Sequence, residues 1–374
     1  MIGDEERRAV AEVLEGSVLV HGPRVKVFEA DFAAYTGAPQ ALAVASCTAG
    51  LHLAWFHQGI GPGDEVLVPA QTHVATAHAV EYTGARPVFV DCDPATGNID
   101  LDLLEAAVGP NTKGICLVHY LGLPVDMDRV NAIARAHGLF VLEDCALSLG
   151  ARYKGVHTGL LGDAGVFSFY PVKHMTTAEG GMVITRHAAL AEALGLKRAF
   201  GVDRVVGERK SPGVYDVTCL GYNYRMNELE AALGIEQLRR LDGFLARRRD
   251  NYRILATGLA ALPELRLLQS AGQGDVQGSF YCLAAVLDDK LRPRRADIAR
   301  ELGAMGIGTS VYYPSPVPHM SYYRDKYGFS TDSFPNAAAI SHGCIALPVG
   351  PHLDGQDMDL IVAALKTILG KVRA

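Results

Sequence analysis

Residues 140–183 read FVLEDCALSLGARYKGVHTGLLGDAGVFSFYPVKHMTTAEGGMV. The apolar run at 140–143 predicts a strand that delivers Glu143 and Asp144 to its carboxyl end, where open α/β sheets place their ligands. A second short strand, within 165–170, precedes Lys173, and the glycine-rich Thr-Thr-Ala-Glu-Gly-Gly follows at 176–181. A carboxylate at one strand end and a lysine just beyond another are thus expected beside the same site.

Outward from this block, short apolar runs alternate with helical patterns. Strands are expected at 41–46, 65–69, 87–91 and 114–118, and helices at 48–58, 72–83, 101–108 and 127–137. That rhythm predicts a mostly parallel sheet covered by helices on both faces. A run such as Gly-Ile-Cys-Leu-Val at 114–118 suits a strand buried on both sides. After Gly165 the pattern changes, with close strands at 165–170 and 180–185, a helix over 187–200 and a long helix over 226–249. Beyond about 250 it restarts, with a strand at 281–287 and helices at 296–305 and 357–369. The expected organisation is a large domain over 1–248 and a smaller C-terminal α+β domain over 249–374.

The chain has 374 residues, 35 of them basic and 41 acidic, for a net charge of −6. A basic surplus that would favour nucleic acid is missing. Its seven cysteines are scattered without a Cys-x-x-Cys pair, so a reduced, cytoplasmic setting is expected and a cysteine-based metal site is not. Residues 32–63 hold no Asp, Glu, Lys or Arg. Glycines, Pro39, Gln40, His52 and His57 still break that stretch below the length of a membrane span. The glycines at 59, 61 and 63 precede their strand instead of following it, which argues against a dinucleotide site.

The Asp–Lys pair suits pyridoxal 5'-phosphate. A lysine holds the aldehyde as a Schiff base, and a carboxylate keeps the pyridine nitrogen protonated so that the ring accepts electrons. In isolation a helix-capping Asp and a solvated loop Lys would read the same way. The surrounding wording decides between them. Ordered blocks run along nearly the whole chain: GPRVKVFEADFAAYTGA at 22–38, GIGPGDEVLVPAQTHVAT at 59–76, GARPVFVDCDPATGNID at 84–100, the block at 140–183, GYNYRMNELEAALGIEQL at 221–238 and LPVGPHL at 347–353. Together they resemble the DegT/DnrJ/EryC1/StrS family of sugar aminotransferases. The resemblance implies the three-layer αβα fold of aspartate aminotransferase-like, fold-type-I enzymes.

It also implies residue roles. Lys173 would be the Schiff-base lysine and general base; relatives with histidine there dehydrate instead of transaminating. Asp144 would pair with the pyridinium, and His73 would lie where relatives stack an aromatic ring. Ser46-Cys47-Thr48 stands where relatives often read Asn-Gly-Thr, so Cys47 and Thr48, with Ser168, would meet the phosphate at a helix N-terminus. Thr48 is expected to cap that helix as well. Asn223 would reach the phosphate of the neighbouring subunit, making the enzyme a homodimer with shared sites.

Two departures stand out. Leu147 replaces a glutamine that relatives place three residues after the aspartate, and His319 is displaced by one in Tyr313-Pro-Ser-Pro-Val-Pro-His319. Arg247–Arg249 reads as a solvated charge run at a helix end. Arg204, Arg209 and Lys210, in a Gly/Arg/Lys-rich loop, are candidates for a diphosphate. The expected reaction moves an amino group from glutamate to the ketone of a nucleotide-linked deoxysugar. Amination of a cyclitol or a small phosphorylated ketone, and a non-catalytic regulatory protein that binds the cofactor, are the alternatives.

Overall fold

A computed structural model describes residues 1–203 and 214–373. The chain opens with α1 (Asp4–Glu15) and α2 (Pro23–Thr36), then alternates through β1 (Gln40–Val44), α3 (Cys47–His57), β2 (Glu65–Pro69), α4 (Val74–Glu81), β3 (Arg86–Val90), α5 (Leu101–Ala106), β4 (Thr112–Val118), α6 (Met127–His137) and β5 (Phe140–Asp144). A hairpin of β6 (Arg152–Tyr153) and β7 (Val156–His157) precedes β8 (Ala164–Ser168), β9 (Gly181–Thr185), α7 (Ala188–Lys197) and the long α8 (Glu228–Leu259). The remainder comprises β10 (Leu265–Leu267), β11 (Val276–Gln277), β12 (Leu283–Leu287), α9 (Arg295–Ala304), α10 (Ser321–Tyr327), α11 (Pro335–Gly343), β13 (Cys344–Leu347) and α12 (Gly355–Arg373).

Seven strands form the main sheet in the order β1-β9-β8-β5-β4-β2-β3. Only β9 runs against the others, since both of its pairings are antiparallel. The centre of the sheet is β5, parallel to β4 on one side and β8 on the other. Parallel strands need crossovers, and the helices that supply them cover the sheet on both faces. Strands β4 and β9 are accordingly buried almost throughout, and Leu51, Leu53 and Trp55 of α3 are in the core. The expected α/β architecture with a mostly parallel sheet is the one observed.

A second core is assembled from residues 252–369. Tyr252, Leu255 and Leu259 at the end of α8 pack with the sheet β10-β12-β13 and with α9 and α12. The expected boundary at 248/249 therefore falls inside one continuous helix. That helix runs ten residues past 249 because its buried stripe continues through Tyr252, Leu255 and Leu259. Its start is fixed by a capping box between Asn227 and Glu230. Beside it, buried Glu228 accepts hydrogen bonds from the amides of Gly22 and Arg24, satisfying the otherwise orphaned start of α2.

One close approach sets the site's geometry. Gly181 opens β9 so near the turn into α3 that a Cβ there would lie 2.7 Å from both Cys47 N and Ser46 C. Neither backbone atom can yield, so Gly181→Ala should cost about 1–3 kcal/mol in urea unfolding. Gly243 is an exposed residue within α8 with open space at its Cβ. Gly243→Ala should therefore stabilise the protein by up to ~1 kcal/mol in the same assay.

Candidate active site

A cavity of about 310 Å³ opens at the carboxyl ends of the parallel strands. The turn after β1 contributes Ser46–Thr48, the turn after β2 contributes Thr72 and His73, β5 contributes Asp144, β8 contributes Ser168, and Lys173 follows. Lys173, Asp144, His73, Cys47, Thr48 and Ser168 thus share one lining. Asn223 lies outside it, exposed and bridged to Ala199. Arg204, Arg209 and Lys210 fall outside the described residues.

Asp144 is 4% exposed. A buried carboxylate is tolerated only when hydrogen-bonded, and this one is held at both oxygens. Oδ2 accepts from Thr76 Oγ1 at 2.8 Å, and Oδ1 accepts from the amide of Ala146 at 3.0 Å. Thr72 Oγ1 lies 2.7 Å from Thr76 Oγ1 and extends the chain of hydroxyls. Cys47 Sγ is 3.9 Å from Asp144 Oδ1, and burial, followed by the charge of Asp144, pushes the Cys47 thiol well above its usual pKa. The thiol is a neutral neighbour of the carboxylate, not a nucleophile.

Glu143, one residue earlier, faces the other side of the sheet. It accepts from the amides of Gly159, Leu161 and Gly162, and His119 Nε2 donates to it at 2.8 Å while His119 Nδ1 accepts from Val125 N. His119, Glu143 and Cys145 are the only described residues whose potential metal-ligand atoms cluster. The carboxylate of that trio is already committed to structure.

The cap of α3 is Ser46, whose Oγ accepts from Ala49 N at 3.0 Å. This corrects the expectation for Thr48, which sits in the first turn and whose hydroxyl makes no hydrogen bond among the described residues. Thr48 is free to donate to an anion because its neighbour does the capping. Ser168 Oγ, at the end of β8, faces the same cavity. Amides at a helix start and two hydroxyls make a phosphate-sized anion cradle.

His73 caps α4, its Nδ1 accepting from Ala75 N, and its ring meets Tyr313 edge-on at 5.6 Å. Burial, then the nearby Lys173, lowers its pKa, so the ring is neutral at physiological pH. Leu147 lines the wall with an apolar side chain and fixes only its carbonyl, which accepts from Ser279 Oγ. Tyr313 brings a hydroxyl to the same lining. Its hydroxyl has no partner among the described residues, and burial followed by the charge of Asp144 raises its pKa well above the usual value. The strand-end motifs gave no sign of Tyr313's part, because it arrives from the far end of the chain. His319 does not line the cavity; it packs against Phe334.

The chain matches the model of the DegT/DnrJ/EryC1/StrS aminotransferase family over residues 1–366. The chain belongs to the DegT/DnrJ/EryC1/StrS aminotransferase family. It is 39% identical over 373 residues to the spore coat polysaccharide biosynthesis protein SpsC of Bacillus subtilis (strain 168), covering 99% of this chain and 95% of that protein. Among solved structures, DesV of S. venezuelae superposes with a TM-score of 0.89 at 34% identity, covering 97% of this chain and 94% of DesV. The PLP form of Spr1654 from Streptococcus pneumoniae, a putative sugar aminotransferase, does so with a TM-score of 0.92 at 30% identity, covering 100% and 97%. The chain is a pyridoxal-phosphate-dependent aminotransferase with the fold of these enzymes. Its cavity fits the DegT/DnrJ/EryC1/StrS cofactor: a lysine and a fixed carboxylate converge, and an unpartnered hydroxyl stands at a helix start.

Burial disfavours the Lys173 ammonium and lowers its pKa from the ordinary 10.5, while Asp144 acts in the opposite sense. Since only the free amine captures an aldehyde, capture of pyridoxal phosphate by the apoprotein should rise with pH and level off below 10.5. Asp144→Asn removes the opposing charge, so its midpoint should fall further. Stopped-flow absorbance across a pH series checks both; a midpoint at the ordinary lysine value would contradict the reading.

Proposed function

We propose that this enzyme transfers an amino group from L-glutamate to the ketone of a nucleotide-linked deoxysugar, in a homodimer whose Asn223 completes the phosphate cradle of the opposite subunit. The observation that carries the reading is the convergence of Lys173 and Asp144 in one cavity, with lysine and not histidine after β8. The sugar acceptor is supported by SpsC, whose name places it in polysaccharide biosynthesis, and by Spr1654, described as a putative sugar aminotransferase.

Pyridoxal phosphate, when bound, supplies an electron sink that stabilises negative charge on the carbon beside the transferred nitrogen. The residues do the rest. Asp144, held by Thr76 and Ala146 N, keeps a proton on the ring nitrogen. Thr48, Ser168 and the first amides of α3 anchor the phosphate. Lys173 Nζ, with its lowered pKa, takes the proton from the donor carbon and returns it on the other side of the transfer. His73 and Tyr313 meet edge-on and form one wall of the cavity. Exposed apolar side chains such as Tyr170, Val172 and Phe200 are available for a second copy to cover.

The experiment is a visible spectrum of the holoenzyme before and after L-glutamate. The cofactor band should be lost as 2-oxoglutarate is released, and double-reciprocal plots against a keto sugar should be parallel. Lys173→Ala should slow the donor half-reaction about 10²-fold or more. A stable band that no concentration of glutamate changes would overturn the donor assignment.

A further inference from the structure

Lys173 lines a second cavity, of about 370 Å³, on the side facing the C-terminal part of the chain. Its described lining includes Lys173, His174, Arg248, Tyr281, Tyr312 and Gly308, and no Asp or Glu. Arg248 is the unusual member. The charge run at 247–249 reads as a solvated helix end, yet Arg248 is 7% exposed, on the stripe of α8 that also buries Phe244, Tyr252 and Leu255. Its Nη1 donates to the carbonyl of Tyr281 at 2.9 Å; Nε is buried with no partner. Among the described residues no carboxylate pairs with it.

A buried guanidinium with no counter-charge is costly, and the cost is relieved when a carboxylate docks on its planar fork. Close by, His174 Nε2 donates to Ser279 O, which leaves Nδ1 as a buried lone pair without a partner. Among the described residues, the buried Nε of Arg248 and the lone pair of His174 are the two partnerless polar groups of this wall. They suit an amino acid, whose carboxylate and N–H groups complement them in turn.

We propose that this second cavity is the amino-donor subsite, with Arg248 binding the donor carboxylate. The assignment rests on the aminotransferase reading with glutamate as donor. It explains why a buried arginine stands unpaired beside the one lysine that both cavities share. Arg248 is a binding residue for the donor; the keto-sugar acceptor does not need it.

The test uses holoenzyme and two probes, glutarate as an unreactive dicarboxylate and L-glutamate as donor. Glutarate should bind wild type by calorimetry and compete with glutamate. Arg248→Gln should weaken glutarate binding and raise the glutamate KM about 10- to 100-fold, as expected for a charged hydrogen bond, with the acceptor KM unchanged. Arg248→Lys should recover only part of this. Because a buried arginine variant can fail to fold, Gly308→Phe provides a second arm. A Cβ at Gly308 meets open space, so the variant should fold with its cofactor band intact while the bulky ring obstructs glutarate. Unchanged glutarate affinity in folded Arg248→Gln, or in Gly308→Phe where the arginine variant does not fold, overturns the subsite. Failure of the donor reading is distinct: wild type would then not turn over glutamate at all.

Discussion

The site is organised by a carboxylate buried at the carboxyl end of the central strand. Asp144 terminates β5, flanked by β4 and β8 in a parallel sheet, and has almost no access to water. Such a group is stable only with fixed partners. Thr76 comes from α4, on the far side of the β2 crossover, and the Ala146 amide comes from the turn that follows Asp144 itself. The carboxylate therefore ties two crossovers together before any ligand arrives. What it offers a ligand is a negative charge of fixed direction at the bottom of a cavity, which is what a protonated ring nitrogen requires.

The alternation of a strand divides labour between neighbours. Asp144 faces the cavity, while Glu143 faces away and gathers three amides of the 159–162 turn along with His119. That turn feeds β8 and, through it, Ser168 and Lys173. Glu143 thus fixes the turn that leads into β8, while Asp144 shares the cavity with the lysine. Gly181 completes the frame from the other side, since only a residue without a side chain lets β9 run beside the backbone of Ser46 and Cys47.

Much of this was readable from the chain. The runs at 65–69 and 127–137 occur as strand and helix with those bounds, because continuous apolar burial and a capped amphipathic pattern leave little choice. The strand-end residues were legible because each sits in a contiguous stretch with its own turn. The rest depends on tertiary contact. Strands β6, β7 and β11 have two residues each and carry no periodicity. Ser46 and Thr48 are equally good caps by composition, and only the backbone shows that helix α3 begins at Cys47. Arg248 was hidden by its neighbours: within Arg-Arg-Arg-Asp a charged stretch masks the one position that continues the buried stripe. The period of α8 itself, through Leu241, Phe244, Tyr252 and Leu255, could have exposed it.

Tyr313 brings to the cavity a polar group from far along the chain. Leu147 removes a polar side chain from the wall beside Asp144, and nothing near it in sequence restores one. The Tyr313 hydroxyl comes from the 312–314 segment, where Gln71 Nε2 and the Tyr120 hydroxyl both donate to the Tyr312 carbonyl. Gln71 is anchored in turn by Ser341 Oγ, which donates to its Oε1. The turn after β2, the region after β4 and helix α11 therefore converge on the backbone that carries Tyr313. With its phenol kept neutral and its ring wedged against His73, the residue can present a donor and no charge. A neutral phenol adds no charge beside Asp144, whose carboxylate keeps the hydrogen bonds from Thr76 and the Ala146 amide that fix its direction.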